Sequence, residues 1–481
     1  MHGNENFLTL HERIKLKLPD TIEECHALIR QLYEVIGGLQ QRITDLENRL
    51  NQNSRNSHRP PSSDGLRKPA FPKKNEKGKV GGKDKHSGDT LKKMDNPDRI
   101  VSLQPEVCEH CSGPLSKSDA TFLHDSRQVL DLPPIQMECV EYRRVGCTCS
   151  RCGHYTLPSY PVGVEAPVQY GPRTRSLVVL LHERCCLPVN KIQSLFLDLF
   201  SAELNEGTIY QYQKMAFQKL EAEEVFIKSA LLKSKVVHAD ETGIRAEKKL
   251  HWLHTLGNER FTMQFVHAKR GYDAHLNTNS FLPEFRNWLI HDFWSTYFRF
   301  DKCKHGMCGA HILRELKALS EQGQKWADRF HRFLLDLYKQ SDEGRNKIPD
   351  KDKDQALKKY QKLLRAAHKE EPPPLPKGSR GRSKKSKGRN LLERLGKYQD
   401  EVLAFAWYKC IPFTNNLAER DIRPSKSKLK VAGCFRSLDG AQAYARIHSF
   451  LSTVRKHQLN PFNELVRVFQ GLIPEYRCAT T

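Results

Sequence analysis

Apolar residues recur at Ile22, Cys25, Ile29, Leu32, Ile36, Leu39, Ile43, Leu46 and Leu50, in steps that alternate three and four residues. One narrow stripe therefore runs through four heptads of a helix, with isoleucine mostly at the first core position and leucine mostly at the second. This pattern predicts a parallel two-stranded coiled coil over residues 20–51, or, on the other reading, an amphipathic helix packed on its own domain. Gly37 and Gly38 weaken the helix, each by roughly 1 kcal/mol relative to alanine.

Residues 52–99 lose apolar character and predict a flexible basic linker, too polar to offset the entropy of ordering. Within 100–165, the alternation of QMECVEYRRVGC predicts a strand hairpin. Residues 166–230 read as short helices split by Pro188 and the NEGT turn, either a helix-turn-helix-like layout or a helical spacer. At Leu232 the pattern turns to strands. KVVHADETG is an apolar run ending in Asp240, and LHWLHTLG and FTMQFVHA can pair with it. A helix-like stretch near Phe281 to Arg286 precedes NWLIHDFWSTY, whose apolar run ends in Asp292, and GMCGAHILRELKAL begins as a strand and continues as a helix. This order predicts a mixed α/β sheet over 231–437 with both aspartates at strand ends, where ligands gather in such sheets. A helical insertion at about 316–409, broken by a flexible basic loop from Glu371 to Asn390, and a helical cap over 438–481 complete a multidomain α/β chain.

Charge adds a partner. The 481 residues carry a net charge of +23 and a pI near 9.4, which points to nucleic acid rather than to a surface made basic only for solubility. No run of 18 apolar residues occurs, and MHGNENFLTL lacks the apolar core of a signal peptide, so a non-membrane, cytoplasmic protein is expected.

The 14 cysteines, in a large polar chain without an export signal, are expected to be mostly thiols. CEHCSG and CTCSRCGH place Cys108/Cys111 and Cys149/Cys152 as two CxxC knuckles, four thiolates for a tetrahedral structural zinc in a zinc ribbon. Cys147 is a spare that could replace Cys149, and Cys139 reads as an ordinary strand residue. A closed site of this kind serves folding and DNA contact.

The segment PFTNNLAERDIRPSKSKLKVAGCFRS, Pro412 to Ser437, sets Glu419 among Arg420, Arg423, Lys426, Lys428, Lys430 and Arg436. Asp240, Asp292 and Glu419 are candidates for a three-carboxylate site holding magnesium or manganese, since two such ions can serve both the attacking and the leaving oxygen of a phosphodiester. Clustered carboxylates repel one another unless cations bind. The plain alternative is that each aspartate ends a strand or caps a turn. Pro424 is expected to kink or end the helix begun at Glu419, so Lys426 and Lys430 are not placed on the stripe of Glu419 and Arg423. Arg314 is positioned to reach a phosphate or hold an acid, and Glu315 is a rival third carboxylate. Cys308 and His311 form a CxxH pair; without a further ligand pair, a packed strand-to-helix junction is preferred to a second zinc site.

HADETG, then HDFWSTY with CGAHILREL soon after, then FTNNLAERDIRPSKSKLKVAGCFRS resemble the insertion sequence 66 family of DDE transposases. The order of parts is similar too: a zipper, a linker carrying HRPPSSDG, a cysteine zinc-binding domain, a helical region, a catalytic domain and a short cap. The resemblance implies a ribonuclease H-like domain in which Asp240, Asp292 and Glu419 are the acids, cutting transposon ends and joining them to target DNA with a divalent metal. In it a water attacks the phosphodiester to free a 3′ hydroxyl, which then attacks target DNA, while Arg420 and Arg423 position phosphates. It implies small accessory proteins encoded alongside, while the N-terminal coiled coil predicts a homodimer or higher assembly, since pairing two DNA ends needs at least two protomers. Where the family often has a glycine after the second aspartate this chain has Phe293, which keeps Asp301 as a fallback. The other functional classes are a DNA-binding remnant that no longer cuts and a metal-dependent nuclease without strand transfer.

Overall fold

The computed structural model describes residues 21–50, 91–116, 123–133, 135–276, 280–341, 346–374, 383 and 385–478. Most of the expected linker, with HRPPSSDG, and residues 375–382 and 384 of the basic loop lie outside the described residues.

Helix α1 (Ile22–Leu50) runs unbroken through Gly37 and Gly38. Its apolar stripe faces solvent along its length: Ile36 is 49% exposed and Leu39 54%.

The described residues fall into two compact units. The smaller comprises those within Pro69–Pro167 and Asn190–Glu206. Its strands are short, β1 (Cys147–Thr148) pairing antiparallel with β2 (Tyr155–Thr156). The hairpin expected over QMECVEYRRVGC is therefore not formed; residues 136–146 are irregular and mostly exposed. Alternation alone cannot make a strand where no neighbour offers a buried face, and pairing is confined to the knuckle that brings its own ends together.

In the larger unit, to which α1 also belongs, α2 (Pro172–Val179) passes into one π-helical turn, Leu180–Arg184. Helix α3 (Val189–Phe200) falls mostly with the smaller unit, so the helical stretch expected over 166–230 is divided. Helices α4 (Glu206–Lys219) and α5 (Glu221–Leu232) lead into the sheet. Strands β3 (Val236–Ala246), β4 (Lys249–Gly257) and β5 (Thr262–His267) form an antiparallel meander. After α6 (Tyr272–Leu276), β6 (Trp288–His291) and β7 (Lys304–Met307) add on the other side of β3, parallel to it. The order is β5-β4-β3-β6-β7, a five-stranded mixed sheet. The helix expected near Phe281 to Arg286 is a single 3-10 turn, Leu282–Glu284.

Five helices follow, α7 (Gly309–Glu321), α8 (Lys325–Gln340), α9 (Asp350–Glu370), α10 (Lys387–Lys397) and α11 (Gln399–Trp407). Their apolar faces share one core with the parallel strands: Ile290 and Met307 of the sheet pack with Ile312, Leu316, Phe330, Leu391 and Phe405. Fully burying one such side chain contributes about 1.5–3 kcal/mol. The insertion is thus continuous with the sheet rather than appended to it. Helices α12 (Asn416–Ala432) and α13 (Leu438–Lys456) make a second core with the antiparallel strands, through Ile422, Ala441 and Tyr444 against Ile244, Leu253 and Val266. Helices α14 (Pro461–Phe469) and α15 (Glu475–Cys478) close the chain.

Candidate active site

Parallel pairing sets the first two acids side by side. Val236, Val237 and His238 of β3 lie opposite Trp288, Leu289 and Ile290 of β6. The offset is 288 − 236 = 52, and carrying it two residues past the last of these pairs puts Asp240 level with Asp292. Residues at one level of a parallel pair share a face. Asp292 follows the last residue of β6, as expected. Asp240 does not end its strand: β4 pairs with β3 from His238 to Ala246, so β3 continues six residues beyond it, and Asp240 sits where β6 stops.

Each acid is held by backbone. Asp240 Oδ1 accepts from the Glu241 N–H at 2.9 Å, and Asp292 Oδ1 from the Trp294 N–H at 2.8 Å. The peptide of Asp292 is fixed from below by His291, whose Nδ1 lies 2.5 Å from the Asp292 carbonyl and whose Nε2 meets His305 Nδ1 at 2.9 Å. A carbonyl only accepts, so His291 carries its proton on Nδ1 and receives one from His305 at Nε2. Burial, and then the neighbouring His305, push the His291 imidazole down to about 3, which keeps it neutral.

The Asp240 carboxyl feels the charges of the other acids, although among the described residues Asp240, Asp292 and Glu419 do not close into one group with all ligand atoms within 4.8 Å. Burial pushes the Asp240 carboxyl up to about 8, and the carboxylates of Glu241, Asp292 and Glu419 push the same way. Glu241 is raised chiefly by burial, although Tyr297 and Arg270 oppose this. Tyr297 Oη donates to Glu241 Oε2 at 2.5 Å, and Arg270 pairs with Oε1 at 2.7 Å. The Arg270 guanidinium is itself stacked on Trp294, 3.6 Å from the ring centre. Glu241 is thus fully engaged, whereas the carboxylate oxygens of Asp240 and Asp292 accept only these single backbone bonds in the hydrogen bonds resolved among the described residues. An all-oxygen donor set of like charges fits a hard divalent cation of the magnesium class.

Glu419 comes from the first turn of α12. Asn415, just before that helix, stitches it to the sheet: its Nδ2 donates to Ala239 O at 2.7 Å, its Oδ1 meets His238 Nδ1 at 2.9 Å, and its N–H donates to Cys308 Sγ at 3.2 Å. Asp421 anchors the next turn to Lys456 at 2.6 Å and to the Thr262 hydroxyl at 2.8 Å. Contrary to expectation, the helix continues through Pro424 to Ala432. The proline removes one N–H, but Ile422, Ser425 and Lys428 are buried on the inner side and packing holds the helix. Glu419, Arg423, Lys426 and Lys430 therefore recur at four, three and four residues along one face, with Arg423, Lys426 and Lys430 exposed, as is Arg420. Lys428 is not part of this basic surface. It is buried, 2.6 Å from Glu183 Oε2.

The rivals fall elsewhere. Glu315 is held in an ion pair by Arg394 of the insertion, and Asp301 is exposed in the turn before β7. Phe293 lies under the Arg394 guanidinium, 4.7 Å from it, so the residue after Asp292 is packed against the insertion. Arg314 approaches Glu419 Oε1 at 3.8 Å. Cys308 and His311 do lie at the junction of β7 and α7, where Gly309 is needed: a Cβ there would come within 2.2 Å of the Phe413 ring. The partner missing from the sequence is Glu419, whose carboxylate joins Cys308 and His311 in a group with all ligand atoms within 4.8 Å. Glu241, Asn415 and Asp421 also went unnoticed. Glu241 had a signal, a second acid beside Asp240, and Asn415 had only its place before NLAER.

In the smaller unit the two knuckles are copies offset by 41 residues. Cys108 N–H donates to Gly113 O, Ser112 N–H to Cys108 O, Cys149 N–H to His154 O and Gly153 N–H to Cys149 O, all at 2.8–2.9 Å. The fifth residue of each has positive φ, Ser112 at 53° and Gly153 at 71°. The Cys108 thiol is held below its usual range by the N–H groups of Cys111 and His110 and then by the Cys111 thiol. The Cys149 thiol is lowered in the same way by the N–H groups of Arg151 and Cys152 and then by the Cys152 thiol. Lowered thiols are what zinc thiolates need.

The single four-thiolate cluster expected from Cys108, Cys111, Cys149 and Cys152 is not closed in the structure. Cys111 stands with Cys108 and Cys152 with Cys149, both Cys111 and Cys152 being exposed. Among the described residues no group of three or more ligands joins one pair to the other. The side chains around the knuckles are mostly exposed, so no buried apolar face presses the pairs together. The chemistry of the four thiols still fits zinc, which would draw Cys111 and Cys152 inward to complete a tetrahedron. Cys149 lies in the knuckle and Cys147 in β1. Cys149→Ser should therefore cost the purified protein its knuckle-bound zinc while Cys147→Ser keeps it, as read by metal content.

The fold and site define an α/β protein with partly buried acidic side chains at the end of its parallel strands, preceded by a cysteine-knuckle unit. The family model for the Transposase IS66 family matches residues 167–443, more than half of the chain, and that for the zinc-finger binding domain of transposase IS66 matches 105–153. The chain belongs to the IS66 transposase family. A family of unknown function matches residues 15–92, and no curated protein matches the chain. The zinc-finger match supports a structural zinc, and no helix among the described residues is long and apolar enough to cross a membrane.

Proposed function

We propose that the protein binds the ends of its element, cleaves them and transfers the freed strands to target DNA, with Asp240, Asp292 and Glu419 as the acids of a ribonuclease H-like centre. The observation that carries this reading is the placement of Asp240 and Asp292 at one level of β3 and β6, with Glu419 contributed by α12. After burial and Glu241, both of these other acids add to the rise of the Asp240 carboxyl to about 8. The sheet order, an antiparallel meander extended by two parallel strands, supports it. When bound, a magnesium or manganese ion held by these three acids supplies charge that stabilises the attacking and leaving oxygens. Arg420, Arg423, Lys426 and Lys430 lie on the exposed side of α12 to bind backbone phosphates. Arg314, beside Glu419, is set to hold that acid or reach the same phosphate. The exposed stripe of α1 is the surface for a second copy, giving the two protomers that pairing two ends requires.

The test is a labelled end duplex incubated with magnesium or manganese and any accessory proteins of the element. Wild type should cleave and join, and Asp292→Asn and Glu419→Gln should do neither at undiminished DNA binding. A wild type that binds ends but never cuts would leave a DNA-binding remnant instead. End binding should also fall steeply with salt.

A further inference from the structure

We propose that Cys308, His311 and Glu419 form a second metal site, a three-ligand site for a thiophilic divalent cation of the zinc class.

Among the described residues no other three metal-capable side chains gather so closely, the thiol, imidazole and carboxylate atoms all lying within 4.8 Å of one another. Cys308 caps α7 and His311 stands in its first turn, so the three-residue spacing puts both on one side of the helix start. His311 Nε2 and Glu419 Oε1 are 3.8 Å apart. That gap is too long for a hydrogen bond and about half an ångström longer than the roughly 3.3 Å that nitrogen and oxygen keep when both sit about 2 Å from one tetrahedral zinc ion, so the two side chains would draw in on binding.

The second observation is the treatment of the sulfur. Backbone N–H groups of Ala310 and His311, two and three residues on, point at Cys308 Sγ. The same bonds, from residues two and three on, reach Cys108 and Cys149. The N–H groups two and three residues on are shared with the knuckles, but the setting differs. The Cys308 N–H donates to His291 O, Cys308 caps α7, and burial pushes its thiol up to about 11, so a metal must displace a proton held more tightly than at the knuckles. At Cys308 the Asn415 N–H adds a further donor at 3.2 Å.

Sulfur and imidazole select zinc-class ions over magnesium, which prefers oxygen donors and keeps its waters. On binding, the metal–sulfur bond forms and the thiol proton leaves to solvent. Three protein ligands leave a fourth position for water or a phosphate oxygen. Arg314, 3.8 Å from the same Glu419 oxygen, must give way, which makes this site weaker than one of four thiolates. Because Glu419 is shared, a zinc-class ion here withdraws that carboxylate from the acid centre.

The proposal does not depend on the chain being an active transposase, and its test measures binding alone. Full-length protein carrying one zinc equivalent is titrated calorimetrically with zinc and, separately, with cadmium. One further equivalent is expected, weakened at least about tenfold in His311→Gln and Cys308→Ser and unchanged in Lys358→Gln, an exposed position on α9. Retention of the first equivalent and an unchanged helical signal show that a variant is folded. Should Cys308→Ser fail to fold, His311→Gln, whose side chain is 16% exposed, decides the matter. Absence of the further equivalent in wild type, or its persistence at full affinity in the folded variants, overturns the proposal.

Discussion

Asp240→Asn is expected to abolish cleavage, by about a thousandfold or more, and at the same time to make the metal-free protein more stable above pH 8. The two effects have one cause. In the folded chain the Asp240 carboxyl titrates near 8 rather than 3.8, because burial and then Glu241, Asp292 and Glu419 oppose its charge. Unfolded, it is ionised above about pH 4. Between those values the folded state holds a proton that the unfolded state has lost, so stability falls as pH rises through the window and levels off above 8. The full difference is on the order of 5 kcal/mol. Asparagine never ionises, so the variant escapes that loss. Thermal melts without metal should match near pH 4 and separate in favour of the variant by several degrees at pH 9. Magnesium should then raise the melting temperature of wild type and raise that of the variant less. A variant that cleaves normally, or melts identically at both pH values, would remove Asp240 from the centre.

Lys428→Met should lower stability by about 3–5 kcal/mol, since breaking a buried pair leaves the other charge uncompensated. Glu183 is fully buried and is met by Lys428 at 2.6 Å, His182 at 2.7 Å and Gln213 at 2.5 Å. Burial alone would raise its carboxyl, but Lys428 and His182 outweigh it and hold it down to about 2. The pair's contribution is accordingly present above about pH 4.5 and lost as pH falls towards 2. Replacing both partners, Glu183→Leu with Lys428→Met, should recover most of the loss and remove the acid sensitivity, as read by denaturant unfolding at pH 7 and pH 3. Since Lys428 lies on α12 and away from solvent, the single variant should lose cleavage without changing the salt dependence of DNA binding. A change in that dependence equal to one lost phosphate contact would make Lys428 a surface residue after all.

Much of the sheet was legible because its strands carry their own pattern: KVVHADETG, LHWLHTLG and FTMQFVHA alternate or run apolar over lengths that local pairing rewards. Both aspartates stood out where apolar runs met an acid. What placed them side by side was not legible, since β6 has four residues and its register with β3 is set by packing across 52 positions. The end of β3 was misjudged for a related reason. Its polar second half is held by β4, and the joining residues Glu247 and Lys248 both have positive φ without being glycine or asparagine. Pro424 overstated local propensity against tertiary packing. Lys428 looked like its neighbours because its partner lies 245 residues away, and the CxxH pair looked incomplete because its third member belongs to another helix. The spacing of Cys111 and Cys152 named two knuckles correctly, yet it carried no information on what would bring one knuckle to the other.

The core shared by β7 and the insertion also sets a schedule for synthesis. Met307 leaves the ribosome 98 residues before Phe405, the α11 residue that packs into the same core. At roughly 5–20 residues per second, the apolar faces of β6 and β7 wait on the order of 5–20 s for this part of their cover. During that interval the two short parallel strands have α7 and α8 to pack against but not α11, so the side that α11 covers is the last to close.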